Sequence, residues 1–200
     1  MSGRSASFEQ IQPQAVMWQS LWMERPDSAG LEYLALQPMS AHGSIIGHEP
    51  DLGAFRIEYE VQWDERWCTT QVELAVARGR TVERRLDLKQ RGGTWRNEKD
   101  EELGLLQGCI DVDIWPTPFT NSLPIRRLQL AEGERQLIEV VYINAFESSI
   151  EKAVQAYTCI GSRSFRFESV GSDFAADLTV DGYGLVLDYP GLFARLGVHE

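Results

Sequence analysis

The sequence predicts a mainly β protein, a meander of antiparallel strands that wraps into a sandwich, roll or barrel, with a short C-terminal helix. Three observations carry this. Apolar and polar residues alternate with a period of two over several stretches, turn residues recur about every 8 to 12 positions, and one short stretch alone has helix signals. The clearest alternation is at residues 54–63, where Phe55, Ile57, Tyr59, Val61 and Trp63 interleave with Arg56, Glu58, Glu60 and Gln62. Such a strand buries one face and wets the other. After a polar turn at 64–66, a second strand is expected over 67–78, with Val72, Leu74 and Val76 on one face. Gly79 and Arg80 form a two-residue hairpin connection to a third, 81–91, whose apolar face holds Val82, Leu86 and Leu88. Gly92 and Gly93 end it, and Trp95 opens a short strand.

The same pattern resumes after position 130. Residues 136–146 are strongly apolar and β-branched, and 153–160 follow. Phe165 and Phe167 alternate with Arg166 and Glu168, and Phe174, Ala176, Leu178 and Val180 with Asp177 and Thr179. Residues 181–184 read as a turn, and Leu185, Leu187 and Tyr189 as the last strand face. The helix is expected at 190–197, with Pro190 at its start and Gly197 at its end. Neither an internal repeat nor a long linker divides the chain, so one domain over 1–200 is expected, with 1–12 as an N-terminal tail.

Composition narrows the class. With 200 residues, 43% of them hydrophobic and 10% aromatic, the chain can bury a core without staples. A formal charge of −11 makes nucleic acid or an anionic membrane surface a poor partner. No run of about 18 apolar residues exists, so stable membrane insertion is not expected. The first residues lack the apolar core of a signal peptide, which points to the cytoplasm. Cys68, Cys109 and Cys159 are far apart, odd in number and without histidine at ligand spacing. They read as small buried thiols in a reducing compartment, and neither metal nor cofactor is expected. His42 and His48 are expected in loops and His199 at the chain end, with no nucleophile elbow around Ser44 and no phosphate-cradling glycine loop.

The segment most suited to chemistry is 109–128, which holds Pro116, Pro118 and Pro124 among Asp, Thr, Asn and Arg. Its backbone is stiff and cannot be a central strand. Asp111 and Asp113, two apart, point to one face of an extended chain, about 7 Å from each other. That spacing suits an acid–base pair acting on a sugar, although any strand with Asp at alternate places shares it. The basic run from Arg78 to Arg91 belongs on a solvated hairpin, except Arg84, which shares the face of Val82, Leu86 and Leu88. Arg84 and Arg126 are therefore candidate cavity residues. Trp63, Trp67, Trp95 and Trp115 fall at strand ends or turns, where a flat ring can stack on the apolar face of a sugar.

At these residues the sequence resembles a bacterial family described as putative glycolipid-binding. The matching residues are Asp111-x-Asp113, Thr117-Pro118-Phe119-Thr120-Asn121 and Leu123-Pro124-Ile125-Arg126-Arg127-Leu128, supported by Asp64-x-x-Trp67, Trp95, Tyr157-Thr158, Asp181 and Tyr189-Pro190. The resemblance covers most of the chain. It implies a rolled or half-open antiparallel β-barrel, similar in shape to the bacterial carriers that localise lipoproteins, and a glycolipid as ligand. An amphipathic lipid would then lie in a cavity of the rolled sheet, with Trp67, Arg84, Trp95, Asp111, Asp113, Thr117, Thr120, Asn121, Arg126 and Tyr157 as candidate binding residues. The alternative is an enzyme acting on a sugar-containing substrate through Asp111 and Asp113. A third reading, an oligomer-forming β protein whose polar segment is an interface, keeps a homodimer open.

Overall fold

Among residues 7–21, 27–147 and 149–197, which the computed structural model describes, fourteen strands join one open sheet. The first seven are β1 (Gln14–Ser20), β2 (Ala29–Gln37), β3 (Ser40–Glu49), β4 (Gly53–Trp63), β5 (Thr69–Arg78), β6 (Thr81–Arg91) and β7 (Thr94–Arg96). The rest are β8 (Asp111–Trp115), β9 (Arg135–Asn144), β10 (Ser149–Gly161), β11 (Ser164–Ser169), β12 (Ala175–Val180), β13 (Val186–Tyr189) and β14 (Phe193–Arg195). The sheet order is β7 through β1, then β14 through β8. Each half is thus a meander of sequence neighbours, and the two are joined by β1 pairing antiparallel with β14. The free edges, β7 and β8, follow one another in the chain and draw together without pairing. Thr69 N donates to Ile110 O at 3.2 Å, and the Trp95 indole to Cys109 O at 2.9 Å, across this gap. The result is a half-open roll that is mostly antiparallel.

Burial follows the alternation read from the sequence. On β4, Phe55, Ile57, Tyr59, Val61 and Trp63 are all buried, with their intervening neighbours facing out. The hairpin at Gly79 and Arg80 joins β5 to β6 as expected, and β9 and β10 enclose the stretches 136–146 and 153–160 to within a few residues. One core packs the inner faces of β1 to β6 against Val112, Ile114, Val141 and Ile143. A second packs Ile138, Val140 and Tyr157 against Phe165, Phe167, Leu178, Val180 and Tyr189. Strands β8 and β9 separate the two cores, because alternate side chains of a strand point to opposite faces.

Several local expectations are corrected. The short helix is not at 190–197 but at α1 (Ser122–Leu128). Gly191 has φ of +78°, Leu192 N donates to Tyr189 O at 2.9 Å, and the chain reverses into β14 with Tyr189 opposite Phe193. An isolated two-turn helix is marginal, whereas here the same residues supply the strand that joins the two meanders. In 109–128 the prolines flank structure instead of preventing it. β8 is an edge strand in parallel pairing with β9, which ends before Pro116, and Pro124 sits in the first turn of α1, where its missing N–H has no helical partner to lose. His42 and His48 lie on β3, not in loops, while His199 lies outside the described residues. Of the expected tail, residues 1–6 lie outside the described residues, but Ile11 is buried and Glu9 N donates to Gly182 O at 2.9 Å. On the last strand face Leu185, Val186 and Tyr189 are buried, because a register shift interrupts the alternation between β12 and β13.

One glycine is dictated by the packing that follows. Gly43 on β3 lies directly opposite Tyr59, and a Cβ there would stand 2.1 Å from Tyr59 Cζ. The bare backbone lets the Tyr59 ring cross β3 and put its hydroxyl on Glu32 of β2.

Candidate functional site

The second meander encloses a cavity of about 490 Å³, within the usual range for small-molecule sites of roughly 300–1,000 Å³. One wall is aromatic: Trp115, Phe167, Phe174, Tyr189 and Phe193, extended by Leu192 and Ala153. These rings meet edge to face, Trp115 on Phe193 at 5.8 Å and Phe167 on Phe174 at 6.0 Å between centroids. The opposite edge is polar, with Asp113, Thr117, Asn121, Tyr142 and Gln155 inside and Glu151 exposed. A shallower depression of about 630 Å³ lies at the ends of β1 to β4 and carries no buried titratable group among its lining residues.

Each polar side chain of the 117–121 segment has a specific task. Thr117 donates from Oγ1 to Glu32 Oε1 at 2.8 Å and accepts from Phe119 N at 3.0 Å. Thr120 donates to Asp113 Oδ1 at 3.1 Å and accepts from Ile114 N at 3.2 Å. Asn121 accepts from the Tyr157 hydroxyl at 2.9 Å. Asp113 Oδ2 accepts from Gln155 Nε2 at 2.6 Å. Burial pushes the Asp113 carboxyl up, and the Gln155 and Thr120 bonds pull against it. Burial and the neighbouring carboxylates of Asp113, Glu147 and Glu151 push the Tyr142 hydroxyl up to about 12. Thr117 therefore ties the segment to β2, and the short 3-10 turn at Phe119–Asn121 ties it to β8 and β10, which fixes the polar edge of the cavity.

Of the ten candidate residues, the structure brings together Asp113, Thr117, Thr120, Asn121 and Tyr157. The other five lie elsewhere. Asp111, on the same face of β8 as Asp113, is fully buried and accepts from Arg127 at both oxygens, at 3.0 and 2.5 Å. Arg126 is buried with its guanidinium 4.1 Å from the centroid of the Trp67 ring, donating to the carbonyls of Tyr183 and Glu9. Burial pushes it down to about 10, against the charge of Asp181. Trp67 is held by a turn in which Asp64 Oδ1 accepts from the N–H groups of Arg66 and Cys68, and it stacks on Trp63 at 5.2 Å. Trp95 is fully buried in the first core, and Arg84 sits partly buried on β6, away from the cavity lining.

Sequence reasoning missed Gln155, two residues from Tyr157 on β10, and Tyr142, which the parallel register of β8 and β9 sets beside Asp113. It also missed Glu32, which is buried on β2 with Tyr59 and Thr117 both donating to one oxygen. Burial raises the Glu32 carboxyl to about 7, against those two hydrogen bonds. Among the described residues no group of three or more His, Cys, Asp or Glu is placed to hold a metal ion, and no helix is long and apolar enough to cross a membrane.

No curated protein matches the chain. Among solved structures, it is similar to the crystal structure of a DUF1089 family protein from Pseudomonas aeruginosa, with 39% identity and a TM-score of 0.80. That match covers 86% of this chain and 95% of the other. The family described as "Putative glycolipid-binding" matches residues 15–195, almost the whole sheet from β1 to β14. The chain belongs to that glycolipid-binding family.

Proposed function

We propose that the protein binds an amphipathic lipid, a glycolipid, in the cavity of its second meander. The observation that carries this reading is one cavity with an aromatic wall and a polar edge fixed by its own hydrogen bonds. Aromatic rings take the apolar face of a sugar or an acyl chain, while carboxylate, amide and phenol groups bond hydroxyls. Asp113, Asn121, Gln155 and Tyr142 are the head-group contacts in this reading, with Trp115 and Tyr189 as stacking surfaces. Thr120, Tyr157 and Thr117 hold those contacts in place. Asp111 and Arg126 serve the fold, each through the partners named above. The three unpaired cysteines fit a reducing compartment, so the reading places the protein in the cytoplasm.

Native mass spectrometry of protein purified from cells tests this. A mass excess that organic solvent releases as a lipid is expected. A ligand-free mass, together with no thermal shift across a panel of glycolipids, would contradict the reading.

A further inference from the structure

Among the described residues, the cavity is lined by two carboxylates, Asp113 and Glu151, and by no lysine, arginine or histidine. Cations close to it along the chain are committed elsewhere. Arg127 is bound to Asp111, and Arg126 to two carbonyls over Trp67. Lys152, next to Glu151 on β10, points to the other face of the strand, where it donates to Glu139 at 2.9 Å. An anionic head group would therefore lose its water and meet two like charges with nothing to compensate. A hydroxyl or an ammonium group meets the reverse. Each Asp113 oxygen accepts one hydrogen bond from the protein and keeps a second acceptor site, and the faces of Trp115 and Tyr189 attract positive charge. The field that raises the Tyr142 hydroxyl has the same sign.

We propose that this cavity selects its ligand by the sign of the head-group charge: a neutral or amine-bearing sugar amphiphile is accepted, and an acidic one is refused. The inference rests on the lipid-binding reading above and adds the class of head group to it.

Three octyl glycosides that share the ring and the alkyl chain provide the test: octyl glucoside, octyl glucosaminide, which carries an amine in place of the 2-hydroxyl, and octyl glucuronide, which carries a carboxylate in place of the hydroxymethyl group. Each is titrated below its micelle concentration against the full chain at neutral pH, with calorimetry as the readout. The glucosaminide is expected to bind at least as tightly as the glucoside, and the glucuronide about tenfold more weakly or worse. The gap between glucuronide and glucoside should narrow in Asp113→Asn and in Glu151→Gln. The second variant changes an exposed side chain and is expected to keep the fold. A glucuronide that binds as tightly as the glucoside overturns the charge selection and leaves lipid binding standing. A gap that neither variant narrows overturns its assignment to these carboxylates. Absence of binding by all three compounds overturns the lipid-binding reading, and this inference with it.

Discussion

Replacing Asp111 with Ala is expected to destabilise the protein by about 3–5 kcal/mol, the usual result of breaking a buried ion pair from one side. Asp111 is fully buried, and the Arg127 side chain keeps only 16% of its surface exposed. The variant would leave that guanidinium without a counter-charge between α1 and β8. Asp111→Asn keeps the volume but not the charge, and should lose a comparable amount because Arg127 is again uncompensated. Removing both charges has a different consequence. Asp111→Leu with Arg127→Met should recover most of the loss, since apolar replacement of a buried pair is often close to neutral. Urea unfolding midpoints of the four proteins measure this directly. A loss below about 1 kcal/mol in Asp111→Ala, the range of surface pairs, would show that the pair does not tie α1 to the roll. The same geometry bears on chemistry, because both oxygens of Asp111 are already occupied by Arg127.

Glu32 carries the second large effect, and its direction is opposite to that of a salt-bridged acid. Burial raises its carboxyl to about 7, from an ordinary value of 4.5. Between those pH values the folded protein holds a proton that the unfolded chain has released. Folding stability therefore falls as pH rises through that window, by about 1.4 kcal/mol per pH unit and about 3 kcal/mol in total. Glu32→Gln keeps an oxygen for Tyr59 and Thr117 but cannot ionise. Relative to the natural protein, its stability should rise by about 2 kcal/mol between pH 5.5 and 8. Taking the difference between the two proteins removes the fixed effect of the amide and the titration of other groups. A difference that stays flat with pH would contradict the assignment of the shift to this carboxyl.

Much of the fold was legible because one face of each antiparallel strand is wet. β4, β5 and β6 were readable from alternation and from the two-residue turn at Gly79 and Arg80 almost to their observed ends. β1 to β3 left a weaker trace. Met17, Leu31, Tyr33 and Ile46 are exposed apolar residues on their outer faces, and the inner face of β3 offers small residues at Ala41, Gly43 and Gly47, so the contrast between the two faces is weak. Glu32 was hidden for the same reason. The 190–197 segment has the end signals of a helix, yet pairing with β1 and β13 decides its state, and local sequence does not contain that pairing.

The site divided along a similar line. Asp113, Thr117, Thr120 and Asn121 lie close in sequence, and a rigid proline-flanked segment keeps them close in space. Asp111 and Arg126 belong to the same segment, but Arg127 occupies both oxygens of Asp111 and Arg126 turns away to Trp67 and the Glu9 carbonyl. The tryptophans separated by burial. Trp95 spans the gap at the sheet edges, Trp67 lies under Arg126, and Trp115 faces the cavity. Nothing in local sequence distinguishes those three fates. The aromatic wall needed the fold to be seen at all, because Phe167, Tyr189 and Phe193 come from three different strands and Phe174 from the connection before β12.

The most direct test of the lipid-binding proposal is to fill the cavity. Ala153 lines it from β10 and is partly buried, so Ala153→Trp would place an indole in the space a ligand needs. Binding of octyl glucoside is measured by calorimetry for both proteins, with circular dichroism and the unfolding midpoint recorded alongside. The natural protein should bind, and the filled variant should keep its β spectrum while losing about tenfold or more in affinity. A folded Ala153→Trp variant that binds octyl glucoside as tightly as the natural protein would show that the ligand sits elsewhere.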